Sequence, residues 1–88
     1  MKALVLYRPN SSHARPTEDF VHDLSRFVSD RDIQLINVNS RDGSATASLY
    51  DVMTYPAVLV VRDTGELQNS WQSEPLPLVN DVLGYLRV

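Results

Sequence analysis

The sequence predicts an α/β domain: a small four-stranded mixed sheet with helices on both faces, in the order β-α-β-α-β-β-α. Three observations predict it. Ala3 to Tyr7 and Ala57 to Arg62 are short, nearly continuous apolar runs bounded by turn residues, the pattern of strands covered on both faces. Between the first run and the next apolar segment lies a stripe at helical spacing, which implies parallel strands joined by a right-handed helical crossover. Asp63-Thr64-Gly65 then separates the third strand from Leu67 to Trp71 by a tight turn, which implies an antiparallel hairpin.

Taken in order, the first strand, Ala3 to Tyr7, ends at Arg8-Pro9-Asn10, and Asn10 to Pro16 reads as a polar loop. Pro16 suits the first turn of a helix, where a missing N–H costs nothing. Phe20, Val21, Leu24, Phe27 and Val28 form its apolar stripe, with Glu18 and Asp19 placed near its start to suit the helix dipole. Asp30-Arg31-Asp32 breaks the pattern. The second strand is Ile33 to Val38, with Ile33, Leu35 or Ile36, and Val38 as apolar positions. After a turn over Asn39 to Gly43, Ser44 to Val52 reads as a short helix capped by Ser44, with Ala45, Leu49 and Val52 on one face. The third strand is Ala57 to Arg62. The fourth, Leu67 to Trp71, alternates weakly, with Leu67 and Trp71 on one face, and stops before Pro75 and Pro77. Pro77 opens a last helix with the stripe Leu78, Val79, Val82, Leu83 and Leu86, weakened modestly by Gly84.

The chain has 88 residues, which suits a single domain spanning 1–88, and its 43% hydrophobic content is that of a folded globule. The net charge of −3 and pI near 5.1 argue against nucleic acid and against anionic membrane surfaces. No apolar run spans a bilayer. Met1 to Tyr7 reads as a buried strand rather than an export signal, because Arg8 and Pro9 end a short apolar run, so the cytoplasm is the expected compartment. With no cysteine, disulfides and thiolate metal sites are excluded.

Tyr50-Asp51-Val52-Met53-Thr54-Tyr55-Pro56-Ala57, followed by Val58 to Val61 and Thr64-Gly65-Glu66, resembles the proline-loop strand of the thioredoxin-like, or glutaredoxin-like, fold. The resemblance covers nearly the whole chain and implies a cis Tyr55–Pro56 bond. Tyr7 to Ala14 is similar to the glutaredoxin stretch in which a proline precedes Cys-x-x-Cys by two residues. Ser11 and Ala14, or in the neighbouring register Ser12 and Arg15, stand where that family has its two cysteines. A hydroxyl cannot form a mixed disulfide, since exchange requires a thiolate, so the family's oxidoreductase activity is out of reach for the chain acting alone. The resemblance further implies that the residue before the cis proline, here Tyr55, pairs through its backbone with an extended peptide. That chemistry needs no sulfur.

The expected function is therefore a non-catalytic, non-redox module that binds a protein or peptide partner. Its surface comprises the loop from Asn10 to Arg15, with Ser11, Ser12 and His13, together with Thr54, Tyr55, Pro56 and Trp71. No catalytic residue, no metal site and no cofactor is expected. An alternative draws on the similarity of the fold to glutathione-transferase N-terminal domains. There Tyr7 or Ser11 would stabilise a thiolate and Gln72-Ser73 would hold the ligand, although the second, all-helical domain of that family is missing.

The remaining constellations have simpler readings. Ser11, Ser12 and His13 pair a hydroxyl with an imidazole, but sequence neighbours rarely reach catalytic geometry, and a polar loop with a helix cap accounts for them. Glu18, Asp19 and His22 have metal-compatible helical spacing, yet a closed zinc site needs about four ligands and only His13 is a further candidate, so a solvated helix face is preferred. Arg41-Asp42-Gly43-Ser44 reads as a turn and cap, since it lacks P-loop spacing and its lysine.

Overall fold

The computed structural model describes residues 1–87. Its elements are β1 (Lys2–Tyr7), α1 (Ala14–Leu24), a 3-10 turn (Asp30–Asp32), β2 (Ile33–Asn37), α2 (Arg41–Leu49), β3 (Ala57–Val61), β4 (Leu67–Gln72) and α3 (Val79–Leu86). The sheet order is β2-β1-β3-β4, with β1 parallel to β2, antiparallel to β3, and β3 antiparallel to β4. This is the expected mixed sheet.

Strict alternation along the two central strands divides the interior into two cores. Ala3, Val5, Val58 and Val60 meet Phe20 and Leu24 of α1 and Val82 and Leu83 of α3. Leu4, Leu6, Ala57, Leu59 and Val61 meet Ile36, Val38, Val52 and Ala47 of α2. Each fully buried Val or Leu among them contributes about 1.5–3 kcal/mol of apolar transfer.

Five readings of the helices are corrected. α1 begins at Ala14, so Pro16 does fall in its first turn, but Glu18 and Asp19 lie beyond the dipole end. The helix stops at Leu24, because the following amides bond three residues back, Arg26 to Asp23 and Phe27 to Leu24. The tightened turn swings Phe27 off the core, 53% exposed, whereas Val28 still packs against it. α2 starts at Arg41 and its cap is Ser40, not Ser44: the Ser40 hydroxyl accepts the Gly43 N–H at 3.0 Å. Its inner face is therefore Gly43 and Ala47, while Ala45 and Leu49 face solvent. α3 starts at Val79, two residues after Pro77, and Leu78 is exposed as its N-cap.

The fourth strand is corrected too. A bulge lies between Val60 and Val61, where Val60 pairs with Asn69 but Val61 pairs with Leu67. The extra residue reverses the alternation, so Leu67 sits opposite Val61 of the α2-side core and Trp71 opposite Val58 of the other. Leu67 and Trp71 consequently occupy opposite faces.

α2 reaches the sheet only because its first turn is small. A Cβ at Gly43 would lie 1.9 Å from the Asn37 carbonyl oxygen, a backbone atom that cannot step aside. At Gly84 nothing lies within 4 Å of the same position. Gly43→Ala should thus destabilise the fold by about 1–3 kcal/mol through overpacking, despite better helix propensity. Gly84→Ala should stabilise it by up to about 1 kcal/mol. Urea denaturation of the two variants checks this opposition of sign.

Candidate functional site

The pairing of Leu6 with Ala57 brings the C-terminal end of β1 beside the residues that lead into β3. Two segments separated by more than forty residues in sequence meet there: the loop after Tyr7 and the Thr54–Pro56 turn. The guanidinium of Arg8 lies over the ring of Tyr55, 5.2 Å from its centroid. The Tyr55–Pro56 peptide is cis, as is Glu74–Pro75. Pro56 is buried, Tyr55 half-buried and Thr54 exposed. Among the described residues the Tyr55 N–H and C=O make no backbone hydrogen bond outside the regular elements, and its hydroxyl donates at 3.4 Å to the Val52 carbonyl. Gln72 reaches in from β4, its side-chain oxygen accepting the Met53 N–H at 3.3 Å.

The loop is held from within. His13 is 8% exposed, and its Nε2 accepts the Arg8 backbone N–H at 3.0 Å. That nitrogen is thereby engaged by the backbone rather than by either serine. The His13 carbonyl accepts both the Thr17 amide and the Thr17 hydroxyl, the latter at 2.7 Å. The Ser11 hydroxyl donates to the Arg8 carbonyl at 2.5 Å. Asn10 takes a left-handed conformation, φ 64°, a position in which Asn is among the better tolerated residues. Ser12 is exposed. No serine–histidine couple exists in this arrangement, because the histidine's acceptor is committed to the backbone.

Of the residues singled out in the sequence, Ser11, Ser12, His13, Thr54, Tyr55 and Pro56 converge on this end of the sheet. Trp71 is turned elsewhere: it packs on the core between the sheet, α1 and α3, and meets Tyr85 edge-on, with centroids 5.5 Å apart and planes at 77°. Arg8 and Met53 were not picked out by sequence reasoning, and Gln72 entered only through the glutathione alternative. Arg8 had a usable signal, a cation placed directly after an apolar strand whose end abuts the proline turn. Met53, 83% exposed, had none.

Tyr7 is buried, and its hydroxyl titrates above the ordinary tyrosine value. Burial is the largest cause, and the nearby Glu18 carboxylate adds to it. A buried hydroxyl beside a carboxylate is poorly placed to meet a ligand thiolate. Depressions in the surface lie along β2 and α2, between Phe27 and Leu78, and beside Met1 and the β3–β4 turn. None of these three is lined by the β1–α1 loop or the proline turn. Glu18, Asp19 and His22 are exposed on α1, and among the described residues no group of three His, Asp or Glu side chains is gathered to hold a metal. No described helix is long and apolar enough to cross a membrane.

No protein-family model and no curated protein matches the chain. Solved structures do. Thioredoxin 1 from the thermophilic eubacterium Thermosipho africanus superposes with a TM-score of 0.73 at 17% identity, covering 99% of this chain and 96% of its own. A malarial protein superposes with a TM-score of 0.71 at 10% identity, covering 97% and 91%. Thioredoxin O2 from Arabidopsis thaliana, in the oxidized state, gives 0.68 at 10% identity, covering 98% and 71%. The fold is thioredoxin-like, and the chain that adopts it has no cysteine.

The raised Tyr7 value carries a pH dependence. The folded state holds this proton more tightly than the unfolded chain, so the stabilisation is complete below the unfolded value of about 10 and is lost as pH climbs through the folded value. Tyr7→Phe should remove this share of the alkaline loss of stability. Urea midpoints measured across the alkaline range for the two proteins test it, and parallel curves would assign the loss to other groups.

Proposed function

We propose that this protein is a non-catalytic thioredoxin-like module that grips an extended segment of a partner protein at the Tyr55–Pro56 turn and the adjoining Arg8–Ser12 loop. Thiol–disulfide exchange needs a thiolate, and this chain supplies none. What supports binding instead is the state of the backbone at Tyr55: a half-buried turn residue with its N–H and C=O free of local backbone partners, at the rim of a rigid sheet. Such groups take an extended strand by main-chain hydrogen bonds, with neighbouring side chains selecting among sequences.

Those neighbours favour a particular kind of segment. Arg8 is exposed and already stacked on Tyr55, so it offers a cation at the rim to an acidic or carbonyl-rich stretch. Met53 offers a flexible apolar contact. Ser12 and Thr54 supply exposed hydroxyls. His13 acts behind this surface by fixing the loop, and Trp71 stiffens the neighbouring edge strand from the α3 side. The glutathione alternative loses support from the burial of the Tyr7 hydroxyl and from the Ser11 hydroxyl, which already donates to the Arg8 carbonyl.

Selection of binders from a displayed library of random linear peptides, followed by titration of the strongest into isotope-labelled protein, tests the proposal. Amide shifts should map to residues 8–12 and 53–56. Tyr55→Ala and Arg8→Ala should each weaken binding roughly tenfold or more. Glutathione at millimolar concentration should leave the same amides unmoved. Failure to recover any binder, or shifts confined to the helices, would overturn the assignment.

A further inference from the structure

The two edges of the sheet are protected differently. β4 carries a bulge and runs into Pro75 and Pro77, devices that discourage strand addition. β2, the other edge, has no proline, lysine, glycine or bulge within Ile33–Asn37, and among the described residues no strand lies beyond it.

The polarity of its free backbone groups follows from the ladder. The Val38 N–H donates to the Tyr7 carbonyl at 3.0 Å across the parallel pair. Alternation then turns Gln34, Ile36 and Val38 toward β1 and leaves the amides and carbonyls of Ile33, Leu35 and Asn37 facing outward. Two of these six groups already have partners. The Ile33 N–H donates to Asp30 in the 3-10 turn, and the Asn37 carbonyl accepts from Ser40 through both its amide and its hydroxyl, at 3.1 and 2.7 Å. Four remain: the Ile33 and Leu35 carbonyls, and the Leu35 and Asn37 amides.

This set is its own complement. A two-fold axis through Leu35 sets a second β2 antiparallel to the first. Each Leu35 N–H then meets the other Leu35 carbonyl, and each Asn37 N–H meets the other Ile33 carbonyl. All four groups of each copy are used, and the two already bonded, the Ile33 N–H and the Asn37 carbonyl, face one another across the pair, each satisfied within its own chain. The same register directs the Asp30–Asp32 turn of each copy toward the start of α2 in the other, where Arg41 and the helix dipole oppose its charge, partly offset by Asp42. Leu35, 38% exposed, meets its own counterpart on the axis.

We propose that β2 is a pairing edge through which two copies of this chain join their sheets into one eight-stranded sheet. The contact is a short edge with one leucine per copy at its centre, small beside the roughly 1,200–2,000 Å² of a standard stable interface. The pairing is accordingly weak, reversible and promoted by concentration. It is independent of the Tyr55 surface, which lies on the far side of β1, next to β3.

Sedimentation velocity from micromolar to millimolar protein should show a monomer–dimer equilibrium. Amide exchange followed by NMR over the same range should show protection growing at Leu35 and Asn37, with Gln34 and Ile36 unchanged because they already bond β1. Leu35→Lys sets two like charges on the axis and should weaken the dimer about tenfold or more without loss of the monomer fold. A monomer at every concentration overturns the proposal. So does a dimer whose new protection falls on β4 or the helices, or one that Leu35→Lys leaves intact.

Discussion

The antiparallel pairing of β1 with β3 is the constraint on which the remaining structure depends. Both strands are buried essentially along their length, and each alternates its side chains between two separate cores. A slip of one residue between them would exchange the two sets of side chains, sending Leu4 and Leu6 to the α1–α3 side and Ala3 and Val5 to the α2 side. The volumes would match on neither side, because small Ala3 and large Leu6 serve different helices. The register is thus fixed by packing alone, without disulfide or metal. That register carries the end of β1 to the start of β3 and sets Arg8 over Tyr55. The candidate site is a geometric consequence of the core.

The loop at that site is ordered by polar contacts turned inward. His13 binds the Arg8 amide, Ser11 binds the Arg8 carbonyl, and Thr17 ties the His13 carbonyl into the first turn of α1. Side chains that composition would nominate for chemistry are consumed in satisfying the backbone where a strand gives way to a helix. A partly buried amide left without its acceptor would cost about 1 kcal/mol, enough to explain an imidazole in this position with no catalytic duty. The loop therefore presents Arg8 and Ser12 outward while withholding the one base that could have activated a serine.

The parts of this fold that were legible in the sequence are those where a single periodicity decides. Ala3 to Tyr7 and Ala57 to Arg62 are apolar throughout and bounded by turn residues, and both are strands. The Asp63-Thr64-Gly65 turn was equally readable: Gly65 adopts φ 92° and closes the loop back on Arg62. Readings failed where a close approach or an inserted residue overrode periodicity. The stripe of Ala45 and Leu49 lost to Gly43 and Ala47, because only small side chains let α2 settle against Asn37, a three-dimensional requirement invisible in the helical pattern. Leu67 and Trp71 parted because a bulge adds one residue between them, and nothing local marks it. At the site, proximity of the two segments was legible through the resemblance of Tyr50–Ala57 to a proline-loop strand. The inward turn of His13 and the outward turn of Met53 were not, since each depends on how its own short loop is arranged.

A thioredoxin-like scaffold without cysteine lacks the reagent for exchange and, in the function proposed above, serves as a receptor. Exchange chemistry on such a scaffold requires a sulfur in the loop and also a place for the polypeptide that sulfur attacks. In the proposed reading the second requirement is met by backbone, which substitution of side chains does not erase. The free amide and carbonyl of Tyr55 and those of Leu35 belong to the same class of resource, main-chain groups exposed where regular pairing ends. They differ in what surrounds them. Tyr55 is flanked by a cation, a thioether and hydroxyls of varied chemistry, which suits selection among unlike sequences. Leu35 is the centre of a symmetric pattern of donors and acceptors, which suits a copy of itself. On these two proposals the domain discriminates at the Tyr55 turn and pairs with itself at the β2 edge, and because the two lie on opposite sides of β1, occupation of either leaves the other open.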